Sequence, residues 1–160
     1  MSDFPVKILL ATDGSEEAQL AAQAAISLAK DTEAELHLVH VGETQHIYTP
    51  RAGGPLPPPE TDEEVKTNAQ ALLNYERKRI EQAGGTVAEA YLRLGKPAEE
   101  ILRVSEEIIA GLIVVGNQGF GGKFSRMKRF LMGSVSERVT RYARCSVIVV
   151  RKDLYDRPQT

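Results

Sequence analysis

Short apolar runs alternate with longer amphipathic segments along this chain of 160 residues. Five runs have the length and apolar character of buried strands and are bounded by turn-forming residues. They cover residues 6–11, 36–41, 86–92, 112–115 and 146–150. Because strands separated by helix-length segments can pair in parallel through crossovers, the pattern predicts a parallel sheet.

Four of the intervening segments carry apolar residues three and four positions apart, which is typical of a helix with one buried face. The first follows the Asp13-Gly14-Ser15 turn, and the second begins near residue 60 and ends at Gly84-Gly85. The third begins at Pro97, and the fourth covers about residues 134–143. In the third helix we expect four side chains in the core: Ile101, Val104, Ile108 and Ile109.

The alternation predicts one α/β domain with a Rossmann-like, open, parallel five-stranded sheet and helices on both faces. The expected strand order is 3-2-1-4-5, within a domain of residues 1–152 and before a short polar tail of residues 153–160. In such sheets ligands bind at the carboxyl ends of the strands where the strand order reverses. Strands one and four end in unusual sequence, at Asp13-Gly14-Ser15 and in a glycine-rich segment, so these ends are the candidate site. The order 3-2-1-4-5 follows if they flank the point of reversal.

Composition and the absence of targeting patterns argue against nucleic acid and a membrane as partners. Twenty basic and twenty-two acidic residues give a net charge of −2, which argues against a broad electrostatic surface for nucleic acid. There is no signal-peptide pattern and no apolar run of about 18 residues, so we expect a cytoplasmic protein with no membrane contact. Cys145 cannot form an intrachain disulfide, and no cluster of metal-binding residues accompanies the three histidines His37, His40 and His46.

The segment from Gly116 to Gly133 carries the strongest chemical signal. It has five glycines, several basic residues and no acidic residue, and it leads into a helix. Glycine backbone and a helix N-terminus both expose N–H groups that bind phosphate, so the segment favours a polyphosphate ligand. The alternative is structural: the glycines form turns, the basic side chains are solvated, and Ser134 with Glu137 forms a capping box. Neither G-x-x-x-x-G-K-[ST] nor G-x-G-x-x-G occurs here, which argues against a typical NTPase or dehydrogenase.

Several ordered motifs together resemble one family. They are the Asp13-Gly14-Ser15 turn, the segments 38–41, 95–101, 133–139 and 145–150, and glycines similar to a G-x2-G-x9-G-[ST] pattern. Over residues 3–151 the chain resembles universal stress proteins of the ATP-binding type. The resemblance implies ATP as the ligand, which Mg²⁺ can accompany, and a homodimer formed through the last strand.

The resemblance also implies which residues contact the nucleotide. Thr12 and Asp13 would lie against the nucleoside, and the backbone of Val41 would meet the adenine. Gly116 and Gly119 would let the backbone approach the ribose and phosphates. The implied site comprises Ala11, Thr12, Asp13, Val41, Gly116, Gly119, Gly133, Ser134 and Val135, of which the last three would bind the outer phosphates. No catalytic residue and no metal ligand is implied.

One departure from the family pattern lies inside the glycine segment. Thirteen residues separate Gly119 from Gly133, where the pattern has nine. The extra residues fall around positions 123–127. Because extending a loop costs little entropy, we expect the insertion to bulge outward and leave both ends in place.

Three functions remain open at this point. The first is a nucleotide-dependent regulatory homodimer in the stress response with little or no hydrolysis, since the glycine segment offers no carboxylate as a base. The second is a nucleotide-free dimerisation or adaptor module. The third is a slow ATPase or an autophosphorylating enzyme.

Overall fold

All five strands lie parallel in a single sheet of order β3-β2-β1-β4-β5, as predicted. The structure is a computed structural model that describes residues 7–44, 60–117 and 133–152. In chain order the elements are β1 (Lys7–Ala11), α1 (Glu16–Thr32), β2 (Glu35–Gly42), α2 (Asp62–Gln82), β3 (Val87–Leu94), α3 (Pro97–Glu107), β4 (Leu112–Gly116), α4 (Ser134–Tyr142) and β5 (Ser146–Val150). Observed strand ends differ from the predicted ends by at most two residues.

Strands β1, β2 and β4, which lie around the point where the strand order reverses, are paired in a register that keeps their ends level. Leu10 of β1 faces Leu38 of β2 on one side and Val114 of β4 on the other. Since these three positions are level and all strands are parallel, the segments that follow β1, β2 and β4 leave the sheet at one edge. This carboxyl edge is where the candidate residues were predicted to meet.

The sheet is covered on both faces, as the alternating pattern predicted. Ile8 and Leu10 of β1 pack on one face with α1 and α2, whereas Leu9 and Ala11 pack on the other with α3 and α4. Alternation along a strand sends successive side chains to opposite faces, so a strand buried on both faces must be apolar throughout. Burial of a leucine such as Leu9, which has no exposed surface, contributes about 2 kcal/mol.

One core prediction was wrong. Ile109 is 85% exposed rather than buried, and Ile108 is only half-buried. Helix α3 ends at Glu107, and Ile109 adopts a left-handed backbone conformation with φ of 55°. Helix α3 therefore ends two residues before Ile109, the last apolar residue of the expected pattern, and Ala110 is buried instead.

The described helices include none that is long and apolar enough to cross a membrane. The expected tail of residues 153–160 lies outside the described residues, and the division of the chain at residue 152 stays a prediction.

Candidate functional site

The backbone of Thr12, directly after β1, is fixed from two directions. Its N–H donates to the carbonyl of Val39 at 3.0 Å, and its carbonyl accepts a hydrogen bond from Nδ1 of His40 at 2.7 Å. Thr12 and His40 are both buried. Sequence analysis placed His40 only as a strand residue, whereas the structure makes it a positioning residue for the end of β1.

A compact turn follows, built on the side chains of Thr12 and Asp13. Oγ1 of Thr12 accepts from the N–H of Gly14 at 3.2 Å, and Oδ1 of Asp13 accepts from the N–H of Ser15 at 2.9 Å. Gly14 has φ of 77°, which suits glycine. A carboxylate can accept about four hydrogen bonds, so Asp13 retains acceptor capacity at the carboxyl edge.

Val41 lies two residues after Val39, the last residue of β2 that pairs with β1. Val39 directs its carbonyl toward β1, where Thr12 bonds to it. Backbone groups repeat their direction every second residue, so those of Val41 point the same way, past the end of β1. Its side chain is buried in the core beneath α3 and α4. Its backbone therefore borders the space above the end of β1, next to Ala11 and Thr12.

Gly116 ends β4 and packs closely against the start of α1. A Cβ atom at Gly116 would lie 2.9 Å from the backbone carbon of Glu17 and 3.0 Å from the nitrogen of Ala18. Any side chain here would collide with backbone that cannot move aside cheaply. The glycine therefore has a packing reason that the sequence, read for phosphate contacts, did not reveal.

Asn117 joins the two ends of the long glycine segment. Its N–H donates to the carbonyl of Val150 at 2.8 Å. Its carbonyl accepts from the N–H of Gly133 at 2.8 Å and from Oγ of Ser136 at 2.9 Å. The base of the segment is thus closed despite the insertion. Gly119 and the extra residues lie outside the described residues, so their arrangement stays a prediction.

No side chain among the described residues caps the N-terminus of α4. Its N-cap is Gly133, with φ of −62° and ψ of 154° and no side-chain hydrogen bond. The capping box of the alternative, structural interpretation does not form, because Ser134 is the first helical residue and Glu137 pairs with Arg141 at 3.2 Å. The N–H of Gly133 is engaged by Asn117. Donors for an anion are therefore the next N–H groups, those of Ser134 and Val135.

The side chain of Asn117 holds an unpaired polar atom. Asn117 is 4% exposed, and its Oδ1 has no hydrogen-bond partner among the residues that the structure describes. Buried polar atoms are almost always hydrogen-bonded, so this atom calls for a partner. Sequence analysis placed the glycines around Asn117 in the site, and not Asn117 itself.

A buried carboxylate on α2 also faces this part of the molecule. Glu76 is 3% exposed and lies 3.7 Å from a guanidinium nitrogen of Arg79. Burial raises the pKa of Glu76, the Asp13 carboxylate raises it further, and Arg79 opposes both. Sequence analysis missed this residue. The available signal was an acidic residue on the buried face of α2, between Leu73 and Ile80.

His37 and Cys145 supply neither a metal site nor a reactive thiol. His37 and His40 lie on opposite faces of β2, as predicted, and His37 bonds Tyr91 and Glu35. Within residues 7–44, 60–117 and 133–152, three or more candidate metal ligands nowhere come together. Burial raises the pKa of the Cys145 thiol, which disfavours the reactive thiolate.

A model of the universal stress protein family matches residues 6–151. The chain belongs to the universal stress protein family. Universal stress protein YxiE of Bacillus subtilis (strain 168) is 36% identical over 151 residues, which cover 91% of this chain and 98% of that protein. Family and fold, which the motifs predicted, are therefore confirmed.

Solved structures in the family share the architecture. UspA from Lactobacillus plantarum superposes with a TM-score of 0.70 at 22% identity, over 91% of this chain and 97% of that chain. A universal stress protein solved in complex with cAMP superposes with a TM-score of 0.65 at 28% identity, again over 91% and 97%.

Proposed function

We propose that this universal stress protein binds ATP at the carboxyl edge of its sheet and acts as a nucleotide-dependent regulatory homodimer. The observation that carries the proposal is the uncapped N-terminus of α4, held against the end of β4 by Asn117. Such a terminus carries about half a positive charge and free N–H donors. It lies at the point where the strand order reverses, which is the usual ligand position in this class of sheet.

Each part of the nucleotide has matching groups at this edge. The N–H groups of Ser134 and Val135 suit the outer phosphates. The remaining acceptor capacity of Asp13 suits a ribose hydroxyl or the adenine amino group, and the Val41 backbone borders the same space. Mg²⁺, if it accompanies the triphosphate, needs only phosphate oxygens and water beside these groups.

The family gives independent support for the adenine. The universal stress protein that was solved with cAMP is 28% identical to this chain. cAMP shares with ATP the adenine, the ribose and a phosphate, so a related protein accommodates those three groups.

Regulation rather than turnover fits the residues available. Hydrolysis requires a group that positions or activates water next to the outer phosphate. The glycine segment contains no carboxylate, and one oxygen of Asp13 is already bonded to Ser15. We therefore propose slow hydrolysis at most, with the adaptor module and the autophosphorylating enzyme as the competing functions.

The last strand is the proposed dimer surface. β5 lies at the edge of the sheet and pairs only with β4 among the described strands. Ile148 on this strand is 38% exposed. An uncovered apolar edge strand favours pairing with a second copy, and nucleotide biases such a dimer only as far as it binds one state better than the other.

The experiment is a calorimetric titration of ATP into the wild type and into Gly133→Asp. An aspartate at the N-cap would occupy the free N–H groups and repel the phosphates, so we expect affinity to fall more than tenfold. Thr61→Asp makes the matched change at the N-cap of α2 and should leave affinity within twofold of the wild type. Sedimentation with and without ATP follows the dimer in the same samples.

Three outcomes would contradict parts of the proposal. A wild type that binds no ATP would favour the nucleotide-free adaptor. Equal losses in Gly133→Asp and Thr61→Asp would remove α4 from the site. Sustained release of phosphate, or transfer of phosphate to the chain seen by mass spectrometry, would make the protein an enzyme.

A further inference from the structure

We infer that the phenol of Tyr91 is an acyl-acceptor site, at which His37 serves as the base and the acyl donor is an uncharged activated ester. The inference does not depend on ATP binding, because these residues lie within β2 and β3 rather than at the carboxyl edge of the sheet. It comes from a continuous row of hydrogen bonds that runs from Glu35 through His37 to Tyr91.

The row joins a carboxylate, an imidazole and a phenol. Nε2 of His37 lies 3.0 Å from Oε2 of Glu35, and Nδ1 of the same ring lies 3.1 Å from the hydroxyl oxygen of Tyr91. A carboxylate only accepts, so Nε2 carries the proton of the neutral ring and Nδ1 accepts from the Tyr91 hydroxyl. The bond from His37 lowers the pKa of Glu35, which keeps that carboxyl ionised. A nucleophile, its base and a group that orients the base are therefore in line.

The base is held in place, whereas the tyrosine is partly exposed. His37 is 6% exposed, and its ring stacks on that of Tyr91 with the centroids 5.9 Å apart and 15° between the planes. Strand β3, which carries Tyr91, is at the edge of the sheet and pairs with β2 alone within the part of the chain that the structure describes. A small reagent can therefore approach Tyr91 from the open edge while His37 stays in position.

The charges around Tyr91 favour an uncharged donor. Burial raises the pKa of Tyr91 most. Three carboxylates raise it further and one guanidinium opposes them, namely Glu89, Glu35, Glu107 and Arg93. Because Arg93 is paired with Glu107, the remaining field at the phenol is negative. An anionic donor such as an acyl phosphate or a nucleotide meets repulsion there, and an uncharged ester does not.

The step moves one acyl group to the phenol oxygen. That oxygen forms a bond with the acyl carbon as its proton passes to Nδ1 of His37, and the bond from the acyl carbon to the leaving oxygen breaks. His37 then gives the proton to the leaving group, and the Glu35 carboxylate stabilises the imidazolium in between. Since its raised pKa keeps Tyr91 protonated at neutral pH, the attack depends on this proton transfer.

The test uses p-nitrophenyl acetate, an uncharged ester, on the full chain without nucleotide. Peptide mass spectrometry follows the acetylation of each tyrosine with time. Tyr75 and Tyr142, which are 62% and 59% exposed, serve as controls in the same molecule because neither hydroxyl bonds a histidine within the described residues. We expect Tyr91 to be acetylated at least tenfold faster than either, although it is less exposed. Equal or slower acetylation of Tyr91 would overturn the inference.

Three variants separate the base from the packing. His37→Phe keeps an aromatic ring beside Tyr91 and should slow its acetylation at least tenfold. Glu35→Gln should also slow it severalfold, because the amide can reverse the tautomer of the ring. Glu89→Gln removes another carboxylate beside His37 and should leave the rate within twofold. Because Glu35 and Glu89 are both exposed, these two variants decide the question even if His37→Phe fails to fold. Equal rates in Glu35→Gln and Glu89→Gln would contradict the inference.

The pH profile distinguishes a base from a merely structural histidine. Between pH 7 and pH 9 the rate at Tyr91 in the wild type should change less than about threefold, because the neutral imidazole takes the proton. In His37→Phe the rate should rise about tenfold per pH unit, since only the ionised phenol then reacts. A wild type with that same steep rise would show that His37 takes no part in the reaction.

Discussion

Helices α1 and α4 both begin at the carboxyl edge of the sheet, yet they differ in which groups bond to the N–H groups of their first turns. At α1, Oγ of Ser15 accepts from the N–H of Ala18 at 3.2 Å, and Glu16 and Glu17 occupy the first turn. Lys152 then bonds both carboxylates, through its N–H at 3.3 Å and its Nζ at 3.0 Å. At α4 the N-cap is Gly133, which has no side chain to offer.

The difference separates a structural terminus from a binding terminus. Acidic residues near a helix N-terminus offset the positive end of the dipole, and they would repel a phosphate. The start of α1 therefore serves to place Asp13 and to pack against Gly116. The first turn of α4 also holds an acidic residue, Glu137, but Arg141 pairs with it, and Gly133 offers no side chain to the first N–H groups, which is why we place the phosphates there.

The largest effect should come from the contact between Gly116 and α1. Gly116→Val would force a side chain into backbone atoms 2.9–3.0 Å away, and overpacking of this kind costs about 2–3 kcal/mol of unfolding free energy. Urea unfolding measures the loss. Gly133→Ala is the matched control, since φ of −62° suits alanine, and it should cost less than about 1 kcal/mol. Similar losses at the two glycines would show that the close approach to α1 is unimportant.

A smaller pair of opposite effects tests the two caps directly. Ser15→Ala removes the cap of α1 and should lower the unfolding free energy by about 1 kcal/mol while leaving ATP affinity within twofold. Gly133→Asp adds a cap to α4, so it should raise the unfolding free energy by a few tenths to about 1 kcal/mol and lower ATP affinity more than tenfold. Thermal or urea unfolding, combined with calorimetry, measures both quantities. If stability and affinity changed in the same direction at α4, the terminus would not be a binding terminus.

The smallest effect concerns Glu76, and it depends on pH. Burial raises the pKa of this carboxyl in the folded state above its ordinary value of 4.5. The wild type therefore loses stability relative to Glu76→Gln as pH rises from about 4.5 through the raised pKa, and the two converge below 4.5. Urea unfolding from pH 4 to pH 8 measures the gap. Glu63→Gln, exposed on the same helix, controls for the loss of a carboxylate, and a gap independent of pH would contradict the prediction.

Local pattern was sufficient for the elements, whereas the strand order also required the assumption that the unusual ends of strands one and four flank the switch point. The run from Ile8 to Ala11 is apolar throughout because both of its faces are covered, and that property is visible in sequence. The prediction of a buried Ile109 was wrong because it used helical spacing beyond the point where the helix ends. Ile109 continued the apolar spacing of α3, but the helix had already ended and the backbone had turned. The cap at Ser134, which the alternative structural interpretation required, does not form because Gly133 occupies the N-cap.

The sequence by itself determined the alternation of strands and helices, the family, and the edge of the sheet where chemistry should occur. These follow from periodicity and motifs, which are properties of neighbouring residues. Only the tertiary structure decided that α1 packs too closely on Gly116 to admit a side chain there. It also decided that Asn117 bonds Gly133 and Ser136, and that Glu76 lies buried near Asp13. Each of these contacts joins residues far apart in the chain, and each depends on register and helix packing, which no local pattern encodes.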